Sequence, residues 1–253
     1  MSDSTRDLAY SPSHFAHAYE ATLARQAAAG RGLVERHPPL AVNSGAAQSP
    51  CFNLFIPQGA GPWPLMVFIH GGYWQELDHT ATDFLAGRYL AQTTAFASID
   101  YDLAPDVTID TMIDQCRQGL KAAYRALEAH GGVSSISLGG HSAGAQLAYW
   151  VAASSEIPID RLLLVSGVYD LTPLVDTYVN EALKLDIPRA RALSPLYAPL
   201  EGLPPCQLVI AENDPPAFHT QTDRFKAALE AAGVAVTRRY VKRCDHFDVL
   251  EHL

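Results

Sequence analysis

A serine between two glycines is the first feature of the sequence that could carry chemistry. Residues 140–144 read Gly-His-Ser-Ala-Gly, which matches G-x-S-x-G with Ser142 at its centre. An apolar run precedes the motif at 133–138, and a helical stretch follows it at 145–153. This strand–turn–helix context predicts a nucleophile elbow, in which small neighbours permit the tight turn that exposes the serine. A glycine-rich turn whose serine only caps the helix is the alternative.

A second glycine pair could supply hydrogen-bond donors to a carbonyl oxygen that gains negative charge during attack. Residues 70–74 read His-Gly-Gly-Tyr-Trp and directly follow the apolar run 65–69. Where a single oxyanion-hole donor has been removed in other enzymes, the loss is roughly 2.7–4 kcal/mol of barrier. We predict an oxyanion hole made by the N–H groups of Gly72, Tyr73 and Ala143, the last being the residue after the serine.

The acid and the base of a serine triad are predicted from their positions after strands. In this type of fold they follow the nucleophile in the order acid, then histidine. Asp214 comes after the apolar run 206–211, and His246 lies shortly after the last predicted strand. The serine hydroxyl needs a base near neutral pH. We therefore predict His246 as the base and Asp214 as the residue that orients it.

Other carboxylates and histidines lie near these positions in sequence. Asp170 follows the preceding strand and is the main rival for the acid, and Glu212 shares the loop of the preferred residue. Asp245 and Asp248 flank the histidine and are alternative partners for it, although residues so close in sequence rarely reach the ring nitrogen that faces away from the serine. Among the other histidines, His70 and His141 are expected to position loops near the site. His79, His130 and His219 are expected to be structural or solvent-facing.

The elements that must position these residues alternate along the chain. The apolar runs predict strands at 52–57, 65–69, 95–99, 133–138, 161–165, 206–211 and 235–241. The helical patterns lie at 13–31, where the helix is expected to end at Gly30, and at 82–93, 108–130, 145–153 and 221–232. This alternation predicts an α/β fold with a mainly parallel sheet, whose ligands bind beyond the carboxyl ends of the strands.

The segment 171–204 interrupts the alternation with five prolines. We interpret it as a small lid over the site, and a plain surface excursion is the alternative. No linker rich in Pro, Gly or Ser divides the chain, so residues 1–253 are expected to form a single domain.

Charge and composition exclude several classes of partner. The net charge of −9 argues against a nucleic-acid partner, because no basic surface could neutralise a row of phosphates. Neither a signal peptide nor a membrane-spanning run is evident, which predicts a soluble, cytoplasmic protein. Cys51, Cys116, Cys206 and Cys244 lack patterned spacing, so we expect buried free thiols. Neither a metal nor a cofactor is expected.

Together these motifs resemble the serine-hydrolase kynurenine formamidases, also called arylformamidases, which have the α/β-hydrolase fold and lie near the hormone-sensitive-lipase-like esterases. The elbow is shared with many esterases, whereas His-Gly-Gly-Tyr-Trp is more particular to formamidases. The resemblance extends over nearly the whole chain and is carried by residues 10–12 (Tyr-Ser-Pro), 70–74, 140–144, 212–214 (Glu-Asn-Asp) and 246–248 (His-Phe-Asp).

The resemblance implies hydrolysis of an N-formyl aromatic amine, in this family N-formyl-L-kynurenine, to formate and the free amine. Tyr73 and Trp74 are expected to line an aromatic pocket, with packing of the loop as the alternative, and His141 is a third candidate for substrate contact. No arginine or lysine can be assigned to a substrate carboxylate. The oligomeric state stays open, a homodimer included.

Two other functions use the same residues differently. A general carboxylesterase for short acyl esters would employ the same nucleophile, base and oxyanion hole. A hydrolase-fold protein that only binds ligands is the third hypothesis, and the complete set of Ser142, Asp214 and His246 argues against it.

Overall fold

The computed structural model describes residues 4–42 and 52–253, and an eight-stranded sheet forms its centre. The strands are β1 (Leu40–Val42), β2 (Phe52–Phe55), β3 (Trp63–Ile69), β4 (Ala95–Ile99), β5 (Val133–His141), β6 (Arg161–Val165), β7 (Cys206–Ala211) and β8 (Val236–Val241). Their order is β1-β2-β4-β3-β5-β6-β7-β8. The pairs β1–β2 and β2–β4 are antiparallel and the others parallel, which confirms the predicted α/β fold.

Helices cover both faces of the sheet. They are α1 (Ser4–Ala9), α2 (Pro12–Phe15), α3 (Tyr19–Arg36), α4 (Ala86–Leu90), α5 (Ile109–His130), α6 (Ala143–Ser154), α7 (Asn180–Leu183), α8 (Ile187–Ala192) and α9 (Pro216–Ala231). Short 3-10 helices span His79–Leu85, Thr172–Asp176, Pro195–Tyr197 and Asp248–His252. One face of the sheet packs against α5, α6 and α9, and the other against α3, α4 and the C-terminal 3-10 helix.

Burial on both faces explains the apolar strands. In β3, the segment 65–69 is buried throughout, and β4 is buried along its whole length. Water is excluded from both sides of these strands, so every position favours an apolar side chain. The long helix α5 begins where the sequence predicts, because the Thr108 side chain accepts a hydrogen bond from the N–H of Thr111 at 3.4 Å.

The N-terminal helix differs from the prediction. Two helices, α2 and α3, replace the single predicted helix, with a short non-helical stretch between them. Helix α3 continues through Gly30 to Arg36, so the predicted end at Gly30 is wrong. Leu33 lies one turn beyond that glycine and is buried in the core. Burying this leucine outweighs the weak helix propensity of glycine.

Smaller differences concern element boundaries. The predicted helix 82–93 is a 3-10 turn at His79–Leu85 followed by α4, and α9 begins at Pro216 rather than at residue 221. Strand β1 was not predicted, because three residues are too few to show the periodicity of a strand. It is an edge strand that pairs with β2.

Three of the four cysteines fall within the described residues. Cys116, Cys206 and Cys244 are buried free thiols, as predicted, and Cys51 lies outside the described residues. Across residues 4–42 and 52–253, no helix is both long and apolar enough to cross a membrane.

Candidate active site

Ser142 occupies a strained turn between β5 and α6. Its backbone has φ 55° and ψ −119°, a region that side-chain-bearing residues rarely adopt, and its N–H donates to the carbonyl of Val165 at 2.9 Å. A Cβ on Gly140 would overlap the backbone of Gly144, and a Cβ on Gly144 would overlap the carbonyl oxygens at the end of β3. Both glycines of the motif are therefore required by contact. The serine stands at the carboxyl edge of the sheet.

A buried carboxylate fixes the imidazole of His246. Asp214 is 3% exposed, and its Oδ1 lies 2.6 Å from Nδ1 of His246. Its Oδ2 accepts from the Ser166 hydroxyl at 2.6 Å and from the Ala211 N–H at 2.8 Å. Burial works to raise the pKa of Asp214, but the charge and hydrogen bond of His246, with the other two hydrogen bonds, hold it below its usual value. The carboxylate therefore accepts from Nδ1–H, and Nε2 is left as the basic nitrogen.

The rival carboxylates are engaged elsewhere. Asp170 pairs with Arg224 at 3.1 Å and also accepts hydrogen bonds from neighbouring hydroxyls. Asp245 and Asp248 accept backbone N–H groups of their own loop, and Glu212 accepts a backbone N–H of the adjacent turn. Within the described residues, none of these four carboxylates bonds to the imidazole.

Ser142 and His246 line one cavity of about 290 Å³. Four tyrosine and phenylalanine side chains belong to its lining, namely Tyr19, Tyr73, Tyr178 and Phe247. No arginine or lysine of the described chain lines it. The serine hydroxyl makes no hydrogen bond to the imidazole among the described contacts. Such bonds in substrate-free enzymes often tighten only in the complex.

The loop after β3 lies directly against the serine. A Cβ on Gly71 would stand 3.1 Å from the Cβ of Ser142. Gly72 has φ 97°, and a Cβ there would overlap the carbonyl of Glu76. The backbone N–H groups of Gly72, Tyr73 and Ala143 donate to no other group in the part of the chain that the structure describes. Three unused donors therefore stand beside the serine, an arrangement able to receive an oxyanion.

The two aromatic residues of this loop have different positions. Tyr73 lines the cavity, and its hydroxyl donates to the carbonyl of Tyr10 at 2.7 Å. Trp74 is 0% exposed, does not line the cavity, and donates from Nε1 to Gln146 at 3.1 Å. The predicted substrate contact of Trp74 is therefore corrected, because its ring packs in the core behind the loop.

His141 lines the cavity and also holds the loop of His246. Its Nε2 lies 2.8 Å from the carbonyl oxygen of His246, so Nε2 carries the proton and donates. Burial and the neighbouring charge of His246 lower the pKa of His141 to about 3. The ring is therefore neutral near neutral pH, which suits a positioning role better than proton transfer.

Sequence reasoning missed the N-terminal side of the cavity. Pro12, Ser13, Tyr19, Leu23 and Gln26 line it, whereas the predicted lid segment 171–204 contributes Tyr178 and Val179. The Nε2 of Gln26 donates to the carbonyl of Phe247 at 3.0 Å. These contacts join residues more than two hundred positions apart. The sequence carried no local signal for them.

Comparisons with known proteins find similar chains among hydrolases of the same fold. Residues 66–249 match the family model described as alpha/beta hydrolase fold. A kynurenine formamidase of Danio rerio is 33% identical over 83% of this chain and 74% of that protein. Another from Salmo salar is 35% identical over 75% and 68%. The crystal structure of a candidate thioesterase from Silicibacter sp. TM1040 superposes with a TM-score of 0.86 at 27% identity, covering 97% and 93%.

Proposed function

The chain belongs to the alpha/beta-hydrolase family and, within it, to the kynurenine formamidases, and from this membership we propose that it hydrolyses aryl formamides such as N-formyl-L-kynurenine. One observation carries the proposal. A serine on a strained turn shares a small cavity with an imidazole whose other nitrogen is fixed by a buried carboxylate.

The first half of the reaction would form an acyl-enzyme. Nε2 of His246 takes the hydroxyl proton while Oγ of Ser142 bonds to the formyl carbon. The carbonyl oxygen becomes an oxyanion, which the N–H groups of Gly72, Tyr73 and Ala143 stabilise. The C–N bond then breaks, and the imidazolium gives its proton to the departing aryl amine. Asp214 stabilises the transient positive charge and keeps Nδ1 protonated.

The second half would release formate. Water enters the position left by the amine, and His246 removes its proton as the oxygen attacks the formyl ester. The tetrahedral intermediate forms in the same oxyanion hole and collapses with the proton returned to Ser142 Oγ. The net reaction consumes one water and yields formate and the free amine.

The cavity suits a compact aromatic substrate. Its volume of about 290 Å³ is small for a ligand site, since such pockets commonly span roughly 300–1,000 Å³. Aromatic side chains of its lining, Tyr19 and Phe247 among them, can pack against an aryl ring. We include the segment 171–204 and the N-terminal residues up to Gln26 in the proposed cover of this cavity.

A general esterase for short acyl groups is the second candidate. The structural similarity to the candidate thioesterase favours it, because esters and thioesters need the same nucleophile and oxyanion donors. Formamides have the poorer leaving group, so an enzyme that cleaves them must protonate the amine. The two functions therefore use the same catalytic residues and differ in the ratio of the hydrolysis rates for formamides and esters.

A paired assay tests the proposal. The ratio of kcat/KM for N-formyl-L-kynurenine to kcat/KM for phenyl acetate is measured on one preparation, with Ser142→Ala as the blank. We expect efficient release of formate and kynurenine, with a ratio above one. Turnover of the ester alone would reject the formamidase proposal and favour the second candidate. Unchanged rates in Ser142→Ala would reject both.

A further inference from the structure

One carboxylate contacts both ends of the loop that carries the proposed oxyanion donors. This oxyanion loop comprises residues 71–78, between β3 and the 3-10 helix that starts at His79. Asp100 directly follows β4. Its Oδ1 lies 3.4 Å from Nε2 of His70, and its Oδ2 lies 2.9 Å from Nδ1 of His79. The residues just before and just after the loop therefore share a single anchor.

The residue after Asp100 holds the start of the same loop. The ring of Tyr101 stacks on the fully buried ring of His70, with centroids 4.3 Å apart and an interplanar angle of 7°. Its hydroxyl bonds to the carbonyl of His70 at 3.2 Å and to that of Gly71 at 3.1 Å. Further along, the N–H of Ala104 donates to the carbonyl of Trp74 at 2.8 Å. The chain after β4 thus supports the loop along much of its length.

The charges of this cluster are complementary. Burial works to raise the pKa of Asp100, but the close contact with His70, together with the hydrogen bond and charge of His79, brings it far below its usual value. Burial works to lower the pKa of His79, yet the hydrogen bond and charge of Asp100, aided by Asp83 and Asp78, raise it. The carboxylate is therefore ionised whenever the enzyme is folded near neutral pH.

The oxyanion loop needs such support because its backbone is strained. Tyr73 has φ 48°, Trp74 has φ 61° and Leu77 has φ 72°, all in the left-handed region. Side-chain-bearing residues keep these conformations only where their surroundings fix them. A loop released from its anchors would relax, and the N–H groups of Gly72 and Tyr73 would move away from the serine.

We propose that Asp100 is a positioning residue for the oxyanion hole, acting through His70 and His79 at the two ends of the oxyanion loop. This inference rests on the proposed role of the Gly72 and Tyr73 N–H groups. It predicts that loss of the carboxylate weakens stabilisation of the tetrahedral oxyanion and leaves binding of the ground state nearly intact.

The test compares Asp100→Asn with Asp114→Asn, a matched change at an exposed surface pair. Phenyl acetate and N-formyl-L-kynurenine serve as substrates, and active sites are counted by fluorophosphonate titration. Misplacement of reacting groups by about 1 Å costs on the order of 100-fold, so we expect a 10- to 100-fold lower kcat per active site in Asp100→Asn, with KM changed by less than about threefold. Asp114→Asn should match the parent.

A transition-state probe separates positioning from simple loss of structure. Trifluoroacetophenone forms a hemiketal oxyanion on a catalytic serine. Its inhibition constant should rise in Asp100→Asn by about the factor lost in kcat, whereas that of the product kynurenine should stay unchanged. A kcat per active site within twofold of the parent, or a lowered kcat with an unchanged constant for trifluoroacetophenone, would overturn the proposal.

Tyr101→Phe provides a second route to the same answer if Asp100→Asn does not fold. It removes only the hydroxyl that bonds to the carbonyls of His70 and Gly71. We expect a smaller parallel change in kcat and in inhibition by the ketone. Parent values for both would count against the loop anchor. Hydrolysis of phenyl acetate also passes through an oxyanion in the same hole. The ester assay therefore tests the role of Asp100 even if the enzyme does not hydrolyse formamides.

Discussion

Replacing Asp214 by asparagine tests how the structure sets the proton on His246. The Oδ2 atom of Asp214 accepts from two donors, the Ser166 hydroxyl and the Ala211 N–H. The backbone N–H cannot become an acceptor, so the asparagine must place its carbonyl oxygen there. Its NH₂ group then faces Nδ1 of His246, which has to accept.

This reversal places the ring proton on Nε2 and removes the base that the serine needs. In a comparable serine enzyme the same change lowers kcat about 10⁴-fold through the wrong tautomer. We therefore expect Asp214→Asn to lower kcat by 10³- to 10⁴-fold, which corresponds to about 4–5.4 kcal/mol of activation free energy.

The assay is steady-state hydrolysis of N-formyl-L-kynurenine, or of phenyl acetate, by protein whose folding is verified by circular dichroism. Asp170→Asn is the matched control, because Asp170 is equally buried but bonds to Thr172, Tyr197 and Arg224. Its kcat should stay within about threefold of the parent, since the ion pair with the half-exposed Arg224 contributes little. A larger loss in Asp170→Asn than in Asp214→Asn would refute the reasoning and move the acid to Asp170.

Three further predictions follow from contacts of the site. Ser142→Ala should lower kcat by about 10⁶-fold while the circular dichroism spectrum is retained, and substantial residual turnover would exclude Ser142 as the nucleophile. The folded pKa of His141 is about 3, below its ordinary 6.5, so its contribution to stability is present above pH 6.5 and is lost as the pH falls towards 3. Urea unfolding of His141→Gln should therefore show a shallower loss of unfolding free energy over this range, and a slope equal to the parent's would contradict the assignment. Gly144→Ala should destabilise the fold by about 2–3 kcal/mol because its Cβ would meet two carbonyl oxygens, whereas Gly87→Ala, whose Cβ would make ordinary contact with Leu33, should change stability by less than about 1 kcal/mol. Equal effects in urea titrations would show that the elbow tolerates a side chain.

The sequence predicted the parallel strands well because their signal is local. Segments such as 95–99 and 206–211 are apolar at nearly every position, and both are confirmed as β4 and β7. A strand that is buried on both faces has apolar side chains at nearly every position, so its sequence alone reveals it. The turn around Ser142 was also predictable from the sequence. The close backbone contacts require glycine at positions 140 and 144, and these are the two glycines of the G-x-S-x-G motif.

The features that the sequence did not predict depend on contacts between segments that lie far apart in the chain. The end of α3 is decided by burial of Leu33 against the core, which outweighs the local glycine signal. Trp74 was placed in the pocket from its neighbours in sequence, yet its indole bonds to Gln146 on another helix. The anchoring of His70 and His79 by Asp100 also had no signature, because the three residues belong to separate elements.

The structure of a covalent phosphonate adduct would test the central claim most directly. Fluorophosphonates react with an activated serine and leave a tetrahedral group that mimics the intermediate. We predict a bond between phosphorus and Oγ of Ser142, with the phosphoryl oxygen about 2.7–3.1 Å from the N–H groups of Gly72, Tyr73 and Ala143 and with His246 Nε2 facing Oγ. An unlabelled Ser142 in folded protein, or an adduct whose phosphoryl oxygen points away from these amides, would contradict it.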